Sequence, residues 1–404
     1  MADAEHRLLV RSDVWRAAPQ YEAVRRVAYL RRCDLPYTRQ FVSATVSAGE
    51  SSGTRFGPLD DLLLWNTDPA VAPGAAEYAM RLFAPLPRQT VFAVVVGTGP
   101  SAGRWDAAGT HNGVTLPVER VRLAGSRMLT LSRQPPPADP IPDAWSRVAG
   151  AVGESAFRRL RDLTVAVVGL GRTGTLAADQ FARHGVRSLI LIDGDVDEVH
   201  SRDTVFEPAV VGRHKVLNRA DGLVARHLGE LTVRAIPRGA RLPVATAALR
   251  RADVAVSCLD DNAARLHLAR QCSEWGLLHL DIGTGVLPGA RRGADIRLCV
   301  CGESCLSCHG GLTDEAAARR ALARPVGMLT SERPPDWRDR RAGSLPALNA
   351  VAVGLGVQAV VDLVAGTRTG GGWMHMDWPP GGVPVVTERP PTPLLDHCPT
   401  CGRI

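Results

Sequence analysis

The order of elements at residues 163–193 constrains this chain most. Residues 163–168 (LTVAVV) read as a continuous buried strand, and Gly169-Leu-Gly171-Arg172-Thr-Gly174 follows at once. Glycines at that spacing allow a tight turn and let backbone N–H groups approach phosphate at a helix N-terminus. The helix is expected to run to about Arg183, followed by a strand at 188–192 (SLILI). That strand ends at Asp193, where a carboxylate can meet ribose hydroxyls. Residues 252–258 and 277–282 repeat the strand pattern. Strands alternating with helices predict an α/β fold, a Rossmann-like and mostly parallel sheet with right-handed crossovers. The order points to nucleotide binding. An NAD-dependent oxidoreductase is the default form of that reading, and a glycine-rich structural turn is the plain alternative.

A proline-rich stretch at 134–144 (QPPPADPIPDA) marks a break, because proline opposes both helix interiors and central strands. It divides the chain into an N-terminal α+β domain, 1–134, a linker, 135–145, and a C-terminal domain, 146–404. In the first, 91–97 (VFAVVVG), 118–123 and 128–131 read as strands, and 22–32 and 75–83 as helices.

Composition narrows the function classes. The net charge is +7, but the arginines are spread along the chain and aromatics are only 5%, so no basic run is interleaved with base-stacking rings. Nucleic acid is not expected as a partner. The most apolar stretch, 350–366, is short and carries Gln358 and Asp362, which argues against a membrane span. The opening MADAEHRLLVRSDV has charges where a signal peptide needs apolar residues, so a cytoplasmic location is expected.

Four features lead away from hydride transfer. They are a second acid, Asp195, in LIDGD; the segment Val211-Gly-Arg-His-Lys215; Ser257-Cys-Leu-Asp260-Asp-Asn-Ala-Ala-Arg265; and two Cys-x-x-Cys pairs, Cys305/Cys308 and Cys398/Cys401. At these residues the chain resembles the ThiF/MoeB/HesA family, the ubiquitin-activating-enzyme-like adenylyltransferases, from about Ala144 onward. The resemblance implies an enzyme that adenylates the C-terminal carboxylate of a small ubiquitin-like or sulfur-carrier protein, or of a peptide, and that works as a homodimer. It puts Gly169, Gly171, Arg172 and Gly174 around the ATP phosphates, with Asp193 on the ribose and Asp195 beside it. Lys215 falls on the phosphate-contacting lysine, Asp260 on the Mg²⁺-associated acid and Arg265 on the arginine that follows. The stretch from Asn349 (NAVAVGL) resembles the family's late helix.

The chemistry agrees with those residue types. A carboxylate attacking the α-phosphate brings two anions together, so the site needs cations and a metal. Lysine suits a point contact to phosphate, and Mg²⁺ typically takes one or two carboxylates plus substrate oxygens. Lys215 is the one lysine among 48 basic residues. The plain alternatives are a surface role for Lys215 and a helix N-cap role for Asp260. Four thiolates in two Cys-x-x-Cys pairs suit tetrahedral Zn²⁺, with two redox dithiols as the alternative. Similar knuckles close the fold in this family. Cys299 and Cys301 read as strand residues with both thiols on one face.

Three departures from the family pattern stand out. Arg172 replaces a glycine of the usual GxGGxG loop. Ser201 and Thr204 stand where the family has Asn and a phosphate-reaching Arg; Arg202 is the nearby substitute, and Arg147 is the candidate for the arginine lent by a partner subunit. No cysteine occurs in 309–345, where thioester-forming members carry one, so the chain is expected to stop at the acyl-adenylate. A non-catalytic scaffold or peptide-binding module is the rival these changes support. The N-terminal domain is read as a carrier- or peptide-binding unit, or as a JAB-type domain without its metal. Trp65-Asn-Thr-Asp-Pro is its nearest match to the JAB motif, and His6 and His111 are its only histidines.

Overall fold

The computed structural model describes residues 7–11, 24–26, 45–47, 62–68, 77, 90–97, 104–111, 114–117, 120–124 and 129–132 of the N-terminal part. Beyond it, residues 140–199, 210–227, 230–286, 288–300, 303–310, 312, 314–322, 344–390, 398, 400 and 401 are described. The chain divides into two compact units, Met1–Pro140 and Ile141–Ile404.

In the first unit, β1 (Arg7–Arg11), β8 (Arg120–Ala124) and β9 (Leu129–Ser132) form one sheet, with β1 parallel to β8. β2 (Val24–Arg26) pairs antiparallel with β3 (Thr45–Ser47). β4 (Leu62–Asp68), β5 (Thr90–Gly97), β6 (Trp105–His111) and β7 (Val114–Pro117) make a four-stranded sheet, parallel at β4/β5 and antiparallel after it. The strands expected at 91–97 and 128–131 are present, and Trp65-Asn-Thr-Asp lies within β4. The helix expected at 22–32 is overturned at Val24–Arg26, and the rest of that range lies outside the described residues. Val24–Arg26 is extended because Val24 and Arg26 pair with Ser47 and Thr45, and strand pairing overrides a short helical pattern. Of 75–83 only Glu77 is described, and it is helical.

The second unit opens with a single 3₁₀ turn, Asp143–Trp145, so helical structure begins inside the stretch expected to be linker. Two short helices follow, α1 (Ser146–Val152) and α2 (Glu154–Arg161). The main sheet has eight strands: β10 (Thr164–Val168), β11 (Ser188–Ile192), β12 (Thr232–Ile236), β13 (Val254–Ser257), β14 (Leu278–Val286), β15 (Arg292–Cys299), β16 (Gly372–Trp378) and β17 (Val385–Arg389). Their order is β12-β11-β10-β13-β14-β15-β16-β17. The first five strands are parallel and the pairs from β14 to β17 antiparallel. The expected α/β, mostly parallel sheet is therefore present, with an antiparallel extension.

Helices α3 (Arg172–Arg183), α4 (Lys215–Arg226), α5 (Pro243–Leu249) and α6 (Asn262–Trp275) link the parallel strands. One core cluster joins Val168, Ile192 and Ala255 to Leu249 of α5 and to Leu268 and Trp275 of α6. Two short helices follow β15: α7 (Leu306–His309) and α8 (Glu315–Leu322). The long α9 (Pro346–Ala365) packs on α3, β14 and β15, with Gly356 against Leu280, Ile282 and Ile296. α9 is long and apolar enough to cross a membrane, but most of it is buried inside the protein, as in a core helix.

Candidate nucleotide site and cysteine cluster

The strand order reverses direction of growth at β10, with β11 on one side and β13 on the other. That switch point is where open α/β sheets form a crevice beyond the carboxyl ends of their strands. Three segments emerge there: Gly169–Gly174 after β10, Asp193 after β11, and Cys258–Asp260 after β13. Gly169 has φ +88°, and a Cβ on it would lie 2.5 Å from the Cys258 carbonyl oxygen. A Cβ on Gly174 would overlap the Gly169 carbonyl oxygen. These two glycines let the turn close and let α3 approach the strand. Gly171 differs: it caps α3 with an ordinary φ of −69°, and among the described residues no side chain caps the helix and nothing lies within 4 Å of its Cβ position. The open face of the turn thus carries uncapped helix N–H groups, the condition for anion binding. Arg172 is the first residue of α3 and half-buried.

Asp193 closes the turn from the side of β11. Its Oδ2 accepts from Leu170 N–H (2.6 Å) and its Oδ1 from Asp195 N–H (2.8 Å). Burial raises its pKa above the ordinary carboxylate range, against the pull of those two N–H bonds and the Lys215 charge. Lys215 begins α4, and its Nζ reaches Asp195 Oδ2 at 2.7 Å. The Asp195 carboxylate is 72% exposed and the Lys215 side chain 17%, so this pair opens toward solvent on the acid's side.

Asp260 is exposed, and it is not the helix cap. That role belongs to Asp261, whose carboxylate accepts from Ala263 N–H (2.9 Å) and Ala264 N–H (3.1 Å) at the start of α6. The N-cap alternative for Asp260 is thereby corrected. Arg265 turns inward instead, and its Nε and Nη2 form a fork on Asp281. Arg297 approaches the same carboxylate at 3.3 Å. Burial alone would raise Asp281, but the Arg265 guanidinium outweighs it and holds the carboxyl below its ordinary range.

Arg147 is not brought to this crevice. It is exposed on α1 beside Trp145, whose ring stacks on His227 (centroids 6.2 Å apart) just past the C-terminal end of α4. Lys215 sits at the other end of that helix, about 16 Å along its axis. Ser201, Arg202 and Thr204 lie outside the described residues, as does Cys301. Cys299 ends β15, buried beside Leu266, Ala269 and Leu306.

Two residues missing from the sequence reading stand behind the crevice. Asp197 and Arg219 form a fully buried ion pair. Asn218 Nδ2 adds a 2.6 Å bond to the same Asp197 oxygen. The sequence signal was faint: an Asp in the DGDVD run and an Arg four residues after Lys215.

The four expected metal ligands do converge. The Sγ atoms of Cys305, Cys308, Cys398 and Cys401 all lie within 4.8 Å of one another. Individual separations are 3.8 Å for Cys305–Cys308, 3.6 Å for Cys305–Cys398 and 3.4 Å for Cys308–Cys401. Tetrahedral zinc with bonds of about 2.3 Å places its sulfurs roughly 3.8 Å apart, so the set fits Zn²⁺ closely.

The ThiF family model matches residues 146–376, which include the glycine turn, Asp193, Lys215 and Asp260. Ubiquitin-like modifier-activating enzyme 5 of Oryza sativa subsp. japonica is 28% identical over 216 residues, 50% of this chain and 48% of its own. The enzyme of the same name in Gallus gallus is 26% identical over 218 residues, 51% of each chain. The chain thus spans about half the length of these curated relatives. Among solved structures, E. coli MccB with MccA-N7isoASN is similar over 66% of this chain and 77% of its own, with a TM-score of 0.50 and 17% identity. MccB in complex with N-formylated MccA gives the same coverage, score and identity. These structures speak for the fold alone. The sequence match spans more than half of the 404 residues and takes in the whole strand-end crevice, and on that ground the chain belongs to the ThiF family.

Proposed function

We propose that this chain is an ATP-dependent adenylyltransferase that activates the C-terminal carboxylate of a small ubiquitin-like or sulfur-carrier protein, or of a peptide. The observation that carries the reading is the crevice at the switch point. There the open Gly171 face, the Asp193 carboxylate, the Lys215–Asp195 pair and the exposed Asp260 line the ends of three adjacent segments. The names of the similar proteins support the substrate class: ubiquitin-like modifier-activating enzymes by sequence, and MccB solved with MccA by fold.

In this reading the uncapped start of α3 receives phosphate oxygens and Asp193 accepts from a ribose hydroxyl. Lys215 leaves Asp195 for phosphate and offsets the repulsion between the attacking carboxylate and ATP. A carboxylate oxygen bonds to the α-phosphorus, the bond to the β-phosphate bridging oxygen breaks, and pyrophosphate leaves. Asp260 is the residue to hold Mg²⁺, which supplies charge stabilisation at the phosphates. With no cysteine in 309–345, the acyl-adenylate passes directly to an acceptor thiol or amine. The four-cysteine cluster holds structural Zn²⁺. The enzyme is a homodimer in which Arg147, remote from Lys215 of its own chain, serves the site of the other copy.

The test is ATP–pyrophosphate exchange with small proteins or peptides encoded beside this gene. Exchange that depends on one of them is expected. Binding of NADH without ATP, measured calorimetrically, would restore the oxidoreductase reading. Partner binding without ATP binding would make the chain a scaffold.

A further inference from the structure

The segment Asp195–Asp197 runs alongside the start of α4. Val196 bridges His214, Asp197 N–H donates to the Arg213 carbonyl (2.8 Å), and Lys215 N–H donates to the Asp195 carbonyl (3.0 Å). Two residues of extended chain span about 6.7 Å and four residues of helix rise about 6 Å, so acids at 195 and 197 match bases at 215 and 219. Two ion pairs result, Lys215–Asp195 and Arg219–Asp197. The first is open to solvent, while the second has side chains 1% and 0% exposed.

Arg219 reaches further. Its Nε donates to Thr175 Oγ1 (3.3 Å), and that hydroxyl donates to the Leu170 carbonyl (3.2 Å) inside the glycine turn. Leu170 N–H in turn binds Asp193, which also holds Asp195. One guanidinium therefore joins the glycine turn, the acid-bearing segment and the lysine helix. Buried ion pairs contribute little net stability, and an apolar pair of similar volume often does as well. Asp197 Oδ1 also has no hydrogen-bond partner among the described residues, a further cost.

We infer that Arg219 and Asp197 are positioning residues: they fix the register of α4 against the glycine turn, so that Lys215 and the start of α3 face the same phosphates. This rests on the nucleotide-site reading above and adds the device that assembles it.

The experiment uses the full chain with Mg-ATP as the probe, read by calorimetric Kd and thermal unfolding. The double variant Asp197→Leu/Arg219→Met removes both buried charges. It is expected to unfold near the wild-type temperature while its Kd for Mg-ATP rises about tenfold or more. Lys215→Ala is also expected to cost less in this background than in the wild type, a coupling that a merely structural pair would not produce. A folded double variant with wild-type Kd and the full Lys215→Ala loss overturns the proposal. If the double variant does not fold, Thr175→Val decides. It deletes the hydroxyl between Arg219 and Leu170, and an unchanged Kd overturns the proposal. A wild-type chain that binds no Mg-ATP overturns the nucleotide reading itself.

Discussion

Lys215 Nζ and Asp195 Oδ2 lie 2.7 Å apart across the mouth of the strand-end crevice, so the chain's one lysine is already paired with an exposed acid. An anion arriving at the glycine turn competes with a carboxylate that water can readily solvate. The lysine is thus held near the turn at small energetic cost and can be released.

Lys215→Ala should abolish carrier-dependent ATP–pyrophosphate exchange. Its effect on stability should be about 1 kcal/mol or less, since the pair is open on one side. Exchange assays and denaturant unfolding on the same preparation check both. Wild-type exchange in the variant would remove Lys215 from the site.

The two outer glycines and the middle one should separate cleanly. Gly174→Ala drives a methyl group into the Gly169 carbonyl and should destabilise the second unit by several kcal/mol or prevent folding. Gly171→Ala meets nothing among the described residues and has an allowed φ, so stability should stay within about 1 kcal/mol. Its methyl group would stand on the open face of the turn and should weaken Mg-ATP binding. Equal effects of both variants on folding would contradict this division.

Purified protein should carry one zinc ion per chain by atomic absorption. Cys305→Ser should lower the metal content toward zero and lower the unfolding temperature, as expected where metal binding is coupled to folding. Metal-free protein with two intramolecular disulfides would favour the redox reading instead.

His279, buried in β14 with neither ring nitrogen hydrogen-bonded among the described residues, has its pKa lowered to about 4 by burial. The ring is neutral in the folded protein but charges near 6.5 when unfolded. Its contribution is therefore present above about pH 6.5 and lost as pH falls toward 4, on the order of 3 kcal/mol in all. Urea unfolding at pH 7 and pH 5 measures the loss. His279→Leu should flatten it, and any remaining slope belongs to other groups, including the cysteine cluster.

The glycine turn, four of the five parallel strands and the Cys-x-x-Cys pairs were legible in the sequence because each is a local pattern: a run, a spacing, a pair. The fifth, β12, is a largely uncovered edge strand without a buried apolar run. The Arg219–Asp197 pair was not, since it joins residues 22 apart through packing that no local period announces. Asp260 and Asp261 could not be told apart either. Both precede the helix, and only backbone geometry decides which one caps it. The strand at Val24–Arg26 was misread because its partner lies some twenty residues further on. Strand β16 escaped notice because its partner β15 lies far back in the sequence, and β17, which pairs with β16, is exposed along its whole length and so shows no buried face.

The cysteine cluster has a topological consequence. Cys305 and Cys398 are 93 positions apart, so a bound ion would close a ring containing α9, β16 and β17. Closing so long a ring restricts the unfolded chain far more than a local knuckle would, by several kcal/mol in the chain-entropy picture for cross-links. An oxidant that attacked those thiolates would therefore cut a covalent-like tether around the antiparallel half of the sheet, and the loss would be felt in the conformational freedom of a quarter of the chain.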